Sequence, residues 1–578
     1  MSSIDWVVLL LTLAVVILYG VYKSRGQRDL ESYFLSNRSM PWYLVLFGIM
    51  GTQASAITFL SAPGQAYTDG MRFVQYYFGL PIAMIVIGLF FLPAFQAQKI
   101  YTAYELLERR FDKKTRLLTS FLFLLQRGLS TGISIYAPAL ILSSLLGWNI
   151  QLTNLLMGGL LIIYTVSGGA KAIAFTQTQQ LLIIFSAMFL AGFMAVRLLP
   201  DGFSFLDALH LAGASGKLNV ITTGFKEEGF DWKDKYNLFS GIIGGFFLAL
   251  SYFGTDQSQV GRYLTASSEK ESRMGLIMNG FVKIPMQFLI LLCGALVFSF
   301  HLFFNAPVYF NQSLLEKAKT GSYKNEIEKV ESSFLEQSRF KEETSRAYLN
   351  ARNTENETAA DAAKAELNRL TRTSDSLRKE AAVLVKKSVP GSDSSDTNYI
   401  FLHFVVHHLP KGLVGLLIAI IFLAAWGSIA AALNSLASTC LIDWHHRLRP
   451  KEREDHHNLK LSRLYTLGWG IFSIAVAMLA GQMGSLIEAV NVLGSLFYGT
   501  ILGIFVVALF FKQIKGTAVF IAALATEVLV SFVFITDVVS FLWLNLIGCA
   551  GVILFSLLIQ SYNSSFGGLR QASEEKYK

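Results

Sequence analysis

Long apolar runs separated by short polar loops set the plan of this 578-residue chain. Windows of roughly 20 apolar residues, enough to cross a hydrocarbon core of about 30 Å as helix, fall at 4–22, 43–66, 73–96, 117–146, 150–166, 176–198, 236–257, 275–304, 412–442, 459–483, 488–511, 516–535 and 538–559. The pattern therefore predicts an all-α polytopic membrane protein with about 13 transmembrane helices. Two runs are interrupted. The second contains Gly-Thr-Gln-Ala-Ser-Ala-Ile-Thr at 51–58, and the seventh contains Leu-Ser-Tyr-Phe-Gly-Thr-Asp-Gln at 250–257. Backbone unwound at membrane depth must find partners inside the protein or in a wet cavity, so both stretches read as binding-site candidates.

Counting spans gives the domain plan. Residues 1–42 hold a peripheral first helix and a cytoplasmic loop; 43–199 form a first block of five helices; 200–235 form an external loop. Residues 236–511 form a second block of five that carries an insert at 305–411, and 512–578 supply two C-terminal helices and a polar tail. An odd number of spans per block inverts the second block relative to the first. Each block opens with an interrupted span, and paired interruptions in two halves point to a midplane solute and ion site.

Composition sharpens the picture. Hydrophobic residues make up 53% and charged residues 15% of the chain, with a mean hydropathy of +0.46, whereas soluble domains carry about 25% charged residues. The basic residues gather in alternate loops: Lys23, Arg25, Arg28 and Arg38; Lys99, Arg109, Arg110, Lys113, Lys114 and Arg116; Arg262, Lys270 and Arg273; Arg447, Arg449, Lys451 and Arg453; Lys512 and Lys515. Placed inside, they put the N-terminus outside and the C-terminus in the cytoplasm, as for an integral protein of the cell (inner) membrane. The net charge of +9 is then a topology signal and no sign of nucleic-acid binding. The first apolar run has no basic flank before it and no small-residue cleavage pattern, so it is expected to be retained. Cys293, Cys440 and Cys549 all fall in apolar runs and predict neither a disulfide framework nor a zinc site.

The insert at 305–411 is mixed in charge. Ile327, Val330 and Phe334, then Leu367, Leu370, Leu377, Ala381 and Leu384, recur at heptad-like spacing, which predicts two solvated helices paired as a hairpin. A solvated insertion is the first reading; an external lid or partner-binding arm is the second. His445, His446, His456 and His457 flank a basic loop and read as solvated rather than as metal ligands. No phosphate loop, nucleophile elbow or His-Glu-x-x-His pattern is present, so no enzymatic machinery is predicted. The chemistry that does stand out is that of an ion site: carbonyls at Gly51 and Ala54 beside a small-residue face at 424–438, which lets another helix approach closely.

These features sit within a recognisable set of motifs. Ser55-Ala56 with Pro63 and Ala66-Tyr67, Tyr101-Thr-Ala-Tyr-Glu-Leu-Leu-Glu-Arg-Arg-Phe111, Gly168-Gly-Ala-Lys-Ala-Ile-Ala-Phe-Thr176, Thr255-Asp-Gln-Ser-Gln-Val-Gly-Arg262 with Leu264 and Ala266, and Leu433-Asn-Ser435 run in order over roughly 1–515. The chain resembles the sodium:solute symporter family, which includes sodium/glucose, sodium/iodide and sodium/multivitamin cotransporters. The resemblance implies a LeuT-type inverted five-helix repeat with sodium as the transported, coupling ion. The implied sodium site comprises Gly51, Ala54, Ala424 and Ser428, with Gly427 offering only backbone where the family commonly has Ser. A second sodium site known in some relatives would fall on Gln177, Gly427, Ala430 and Ala431. All of its side-chain ligands are missing, so one coupled sodium is expected. One charge crossing 100 mV (about 2.3 kcal/mol) and a tenfold sodium gradient (about 1.4 kcal/mol) then support roughly 500-fold accumulation.

The implied solute residues are Gln53, Thr58, Gln75, Tyr77, Ser130, Tyr252, Lys283 and Asn491. Lys283 falls where sugar-carrying relatives bond hydroxyls, and Tyr252 where they place an aromatic gate. The glutamate of those relatives is Tyr77 here, and a nearby serine is Leu80. Arg127, also inside a span, offers an alternative: with Lys283 it would pair a solute carboxylate. The sequence thus reads as a sodium-coupled importer of a small polar solute, a sugar or polyol first and a monocarboxylate or other organic anion second. A sodium-independent facilitator and a transporter-like sensor are the rivals from other classes.

Overall fold

The computed structural model describes residues 1–23, 30–167, 170–390, 392, 395–448, 455–482 and 485–576. Arg25, Arg28, Arg449, Lys451, Arg453 and the Gly168-Gly169 pair of the family motif lie outside them. All thirteen apolar runs are helical. Helix α1 (Ser3–Lys23) precedes the first block, which contains α2 (Trp42–Gln53), α3 (Ala56–Asp69), α4 (Met71–Ala97), α5 (Lys113–Leu146), α6 (Ile150–Ser167) and α7 (Ala170–Arg197). A short α8 (Phe205–Ala214) leads to the second block: α9 (Ser240–Thr255), α10 (Gln257–Tyr263), α11 (Glu269–Phe300), the insert helices α12 (Lys324–Asn353) and α13 (Glu357–Ser388), α14 (Thr397–His408), α15 (Leu413–Leu448), α16 (Asp455–Ala477) and α17 (Leu486–Phe510). Helices α18 (Gly516–Ile535) and α19 (Phe541–Lys576) close the chain, so the polar stretch from Arg570 continues as helix.

Among the described residues, eight helices are long and apolar enough to cross a membrane, or nine when α2 and α3 count as one bent span. Helices at Ser3–Tyr19, Ile150–Val166 and Ser240–Thr255 are apolar but shorter, and α16 falls outside both groups because its first half carries Lys460 and Arg463.

Burial ranks the helices. Of its most apolar window, α15 has 89% inside the protein, against 33% for α18, which makes α15 the central pillar and α18 peripheral. The small residues predicted to allow close approach are the reason: from Ala424 to Thr439 every residue of α15 is buried. Helix α1 turns Val7, Leu10 and Leu11 outward, yet Asp5 pins it to the pillar by accepting the amides of Gly412 (2.6 Å) and Gly415 (3.3 Å). Backbone contact also fixes α3. A Cβ at Gly64 would lie 2.0 Å from the Thr397 carbonyl of α14, and one at Gly294 of α11 would lie 2.1 Å from the Pro63 carbonyl.

The insert helices α12 and α13 pair along Ile327, Val330, Phe334, Leu367, Leu370 and Ala381, all buried, with Leu377 and Leu384 half-buried. Their hairpin rests on the transmembrane part: Arg378 of α13 pairs with Asp396 at 2.7 Å and lies over the rings of Phe310 and Tyr67, at 4.7 and 5.7 Å.

Candidate functional site: the two helix breaks and the cavity between them

The first break is a 63° bend between α2 and α3. Ala54 and Ser55 leave helical geometry (ψ 83° and 172°), and no side chain caps either end. The Ser55 amide turns to the Gln53 carbonyl and the Thr58 amide to the Ser55 carbonyl, both at 3.0 Å. The carbonyls of Gly51 and Ala54 are thereby left without the amides a continuous helix would give them. Helix α15, carrying Ala424, Gly427 and Ser428, packs against both halves of the bend. Ser428 is buried, with its hydroxyl on the Ala425 carbonyl at 3.1 Å.

Gln177 of α7 is wedged between the bend and the pillar. Its amide donates to the Gly427 carbonyl at 3.2 Å and to Thr52 Oγ1 at 3.3 Å. A Cβ on Gly51 would meet Gln177 at 2.8 Å, and one on Gly427 would meet Gln180 at 2.6 Å. The space in which a serine at position 427 would sit is thus taken by two neutral glutamines.

The second break is narrower than the sequence indicates. Helix α9 continues through Thr255, and only Asp256 (φ −77°, ψ 120°) leaves the helix. Its carboxylate caps α10, accepting the Ser258 amide at 2.8 Å and the Ser258 hydroxyl at 2.6 Å. It also pairs with Arg127 of α5 and accepts the Tyr498 hydroxyl at 2.9 Å. Gln257 next to it binds the loop before α5, accepting the Ala103 amide and donating to the Tyr101 carbonyl, both at 2.9 Å. The Tyr104 hydroxyl reaches the Thr255 carbonyl at 3.1 Å. The Tyr101–Phe111 and Thr255–Arg262 motifs are therefore two sides of one joint.

Between the breaks lies a cavity of about 90 Å³ lined by Gln53, Ser55, Ile57, Thr58, Tyr76, Tyr77, Arg127, Leu248, Tyr252, Ile487, Val490, Asn491, Gly494 and Tyr498. That is room for several waters, well short of the roughly 300–1,000 Å³ typical of sites for larger ligands. Of the eight solute residues named from the sequence, Gln53, Thr58, Tyr77, Tyr252 and Asn491 line it. Gln75 points away, bonded to Thr222 Oγ1 and the Tyr236 carbonyl at 3.0 and 3.1 Å. Ser130 is turned back onto the Arg127 carbonyl. Lys283 is buried behind Tyr77, its ammonium 5.5 Å from that ring and without a hydrogen-bond partner among the described residues. Arg127 does line the cavity, but its charge is already matched by Asp256, and its guanidinium lies over the Tyr252 ring at 5.3 Å. Arg127 and Lys283 therefore do not face the cavity as two free cations.

Sequence reasoning passed over three lining or supporting groups. Asp256 was visible as the one acid in an interrupted span. Tyr76, whose hydroxyl bonds Asn491 at 3.1 Å, and Tyr498 carry no local signal, because only the packing of α4 and α17 brings them in.

A bent apolar helix with bare carbonyls beside a small polar cavity, in a bundle this apolar, defines the class of membrane transporters. A model of the sodium:solute symporter family matches residues 33–322 and 374–525, and the chain belongs to that family. The unmatched gap takes in the whole of α12 and the first half of α13. The chain is 25% identical to the sodium/sialic acid symporter SiaT of Proteus mirabilis over 95% of this chain and 93% of that one. It is 24% identical to the sodium/glucose cotransporter of Vibrio parahaemolyticus over 91% and 84%. The match to the human sodium/iodide cotransporter, 29% identical, spans 48% of this chain and 42% of that protein. A solved structure of a Na+-coupled sialic acid symporter, substrate-bound and outward-open, has the same fold: TM-score 0.74, 23% identity, 97% and 98% coverage.

Proposed function

We propose that the chain is a sodium-coupled secondary symporter that imports a small polar organic solute by alternating access, with a neutral sugar or polyol as the favoured class. The observation that carries the solute class is the state of Arg127. Its ion pair with Asp256 leaves a cavity of amides and phenols with no unmatched charge, a lining suited to hydroxyls. Monocarboxylates and other organic anions come second, since they require Arg127 to leave Asp256 or Lys283 to enter from behind Tyr77. Enzymatic activity is not part of this reading; the relatives are transporters.

The coupling ion is assigned to the carbonyls of Gly51, Ala54 and Ala424 and the Ser428 hydroxyl, with the Gly427 carbonyl partly engaged by Gln177. Support comes from the missing amide donors at the bend. Gln177 carries no charge to balance a second cation, which favours one sodium per cycle. Gln53 and Thr58 serve the solute from the same bend, joined by Tyr77, Tyr252 and Asn491, while Gln75, Ser130 and Lys283 act from behind the lining. The thirteen helices are read as spans, ten of them as two inverted five-helix repeats. The N-terminus and the insert are placed outside and the C-terminus in the cytoplasm of a cell-membrane protein. The insert is read as a hairpin docked on the transporter, with no partner assigned.

Uptake by proteoliposomes tests the core of this reading. Flux of a solute found by thermal-shift screening of sugars, polyols and organic acids is expected to collapse when sodium is replaced by potassium. Unchanged flux would reject coupling and leave a facilitator. A Hill coefficient near two for sodium would overturn the single-ion assignment.

A further inference from the structure

We propose that the chain carries a transition-metal site of the zinc type, formed by His301, His403 and His408 where the end of α11 meets α14. One ring nitrogen of each of these three histidines lies within 4.8 Å of the others. His301 follows directly after α11 and is 4% exposed; both of its ring nitrogens lack a hydrogen-bond partner, as do Nδ1 of His403 and Nε2 of His408. Buried polar atoms without partners are uncommon and call for an explanation such as an ion. Three imidazoles converging on one point provide it. Zinc binds imidazole nitrogen at about 2.0–2.1 Å, which spaces tetrahedral ligands about 3.3 Å apart, so each ring closes by under about 1 Å.

The donor set selects the metal. Neutral imidazoles without a carboxylate suit zinc, nickel or copper, and are poor ligands for sodium, calcium or magnesium. Two cations face His301, Arg378 and Lys341; the first is already paired with Asp396. Three protein ligands leave a fourth position for water. A metal here would join two points about a hundred residues apart, and closing a long loop removes more chain freedom than closing a short one.

The site stands apart from the sodium and solute residues, so zinc binding to the purified full-length protein tests it whatever the transport activity proves to be. Titrations use a background in which His445, His446, His456 and His457 are all changed to Gln, removing the other histidine cluster. After stripping with chelator, calorimetry with zinc chloride is expected to give one site per chain, with none for calcium. The zinc absorption edge should show three imidazole nitrogens and one oxygen. His403→Gln and His408→Gln should each weaken zinc binding at least tenfold, and His403→Cys, which keeps a ligand, should restore it. Size-exclusion profiles and metal-free melting identify any variant that misfolds, and the cysteine rescue then decides. No zinc uptake by the background protein, calcium binding equal to zinc, or undiminished zinc binding in both glutamine variants would overturn the assignment.

Discussion

The two helix breaks have solved the same backbone problem in opposite ways. At Asp256 the chain supplies its own charge: a carboxylate caps α10, and Arg127 and Tyr498 balance it. At Ala54 and Ser55 the chain supplies nothing, leaving carbonyls of Gly51 and Ala54 without amide donors and no capping side chain. A break that is internally satisfied is a structural joint; one left open has carbonyls available to a ligand, the role proposed above for the coupling ion. Mutations at the second break should therefore register mainly in stability, and those at the first in sodium dependence.

The largest effect tests the joint. Arg127→Met leaves the Asp256 carboxylate buried without its counter-charge and should cost about 3–5 kcal/mol, read as loss of folded protein or a large drop in melting temperature. Combining it with Asp256→Asn should recover most of that loss. If the single variant is as stable as the parent, the second break is not held by charge and the contrast fails. Tyr498→Phe removes one hydrogen bond to the same carboxylate and should cost about 1.5–3 kcal/mol, with sodium affinity preserved.

At the first break, Ser428→Ala should raise the sodium concentration for half-maximal uptake about tenfold, equivalent to about 1.4 kcal/mol, with little change in melting temperature. An unchanged sodium requirement would move the ion elsewhere. The smallest effect is expected at the cavity rim. Asn491→Ala removes the acceptor of the Tyr76 hydroxyl and should weaken solute binding several-fold, about 1 kcal/mol, at unaltered half-saturating sodium.

Much of this contrast could be read before any coordinates. Hydrophobic period and length located the helices of the apolar runs, because such runs bounded by charge have few other options in a membrane, but not α8 or α14. The bend at Ala54 announced itself through small and hydroxylated residues in mid-span. What stayed hidden depends on which helices touch. Lys283 looked like a solute ligand because a buried ammonium is usually functional, yet packing puts it behind Tyr77. Arg127 looked available because its partner lies 129 residues away along the chain. His301 precedes the insert while His403 and His408 lie near its far end, and no spacing rule connects them.

The glycine contacts of α3 set how motion leaves the bend. Most helices meet through side chains, which can change rotamer and absorb a shift. Gly64 and Gly294 have none, so α3 meets α11 and α14 backbone to backbone, an engagement more like meshed gear teeth than a slipping belt. There is no slack to take up. A displacement of Ala56–Asp69 passes directly to Thr397 and reaches the insert hairpin through the Asp396–Arg378 pair and the Arg378–Tyr67 contact. The insert hairpin is thereby coupled to the helix that leaves the bend.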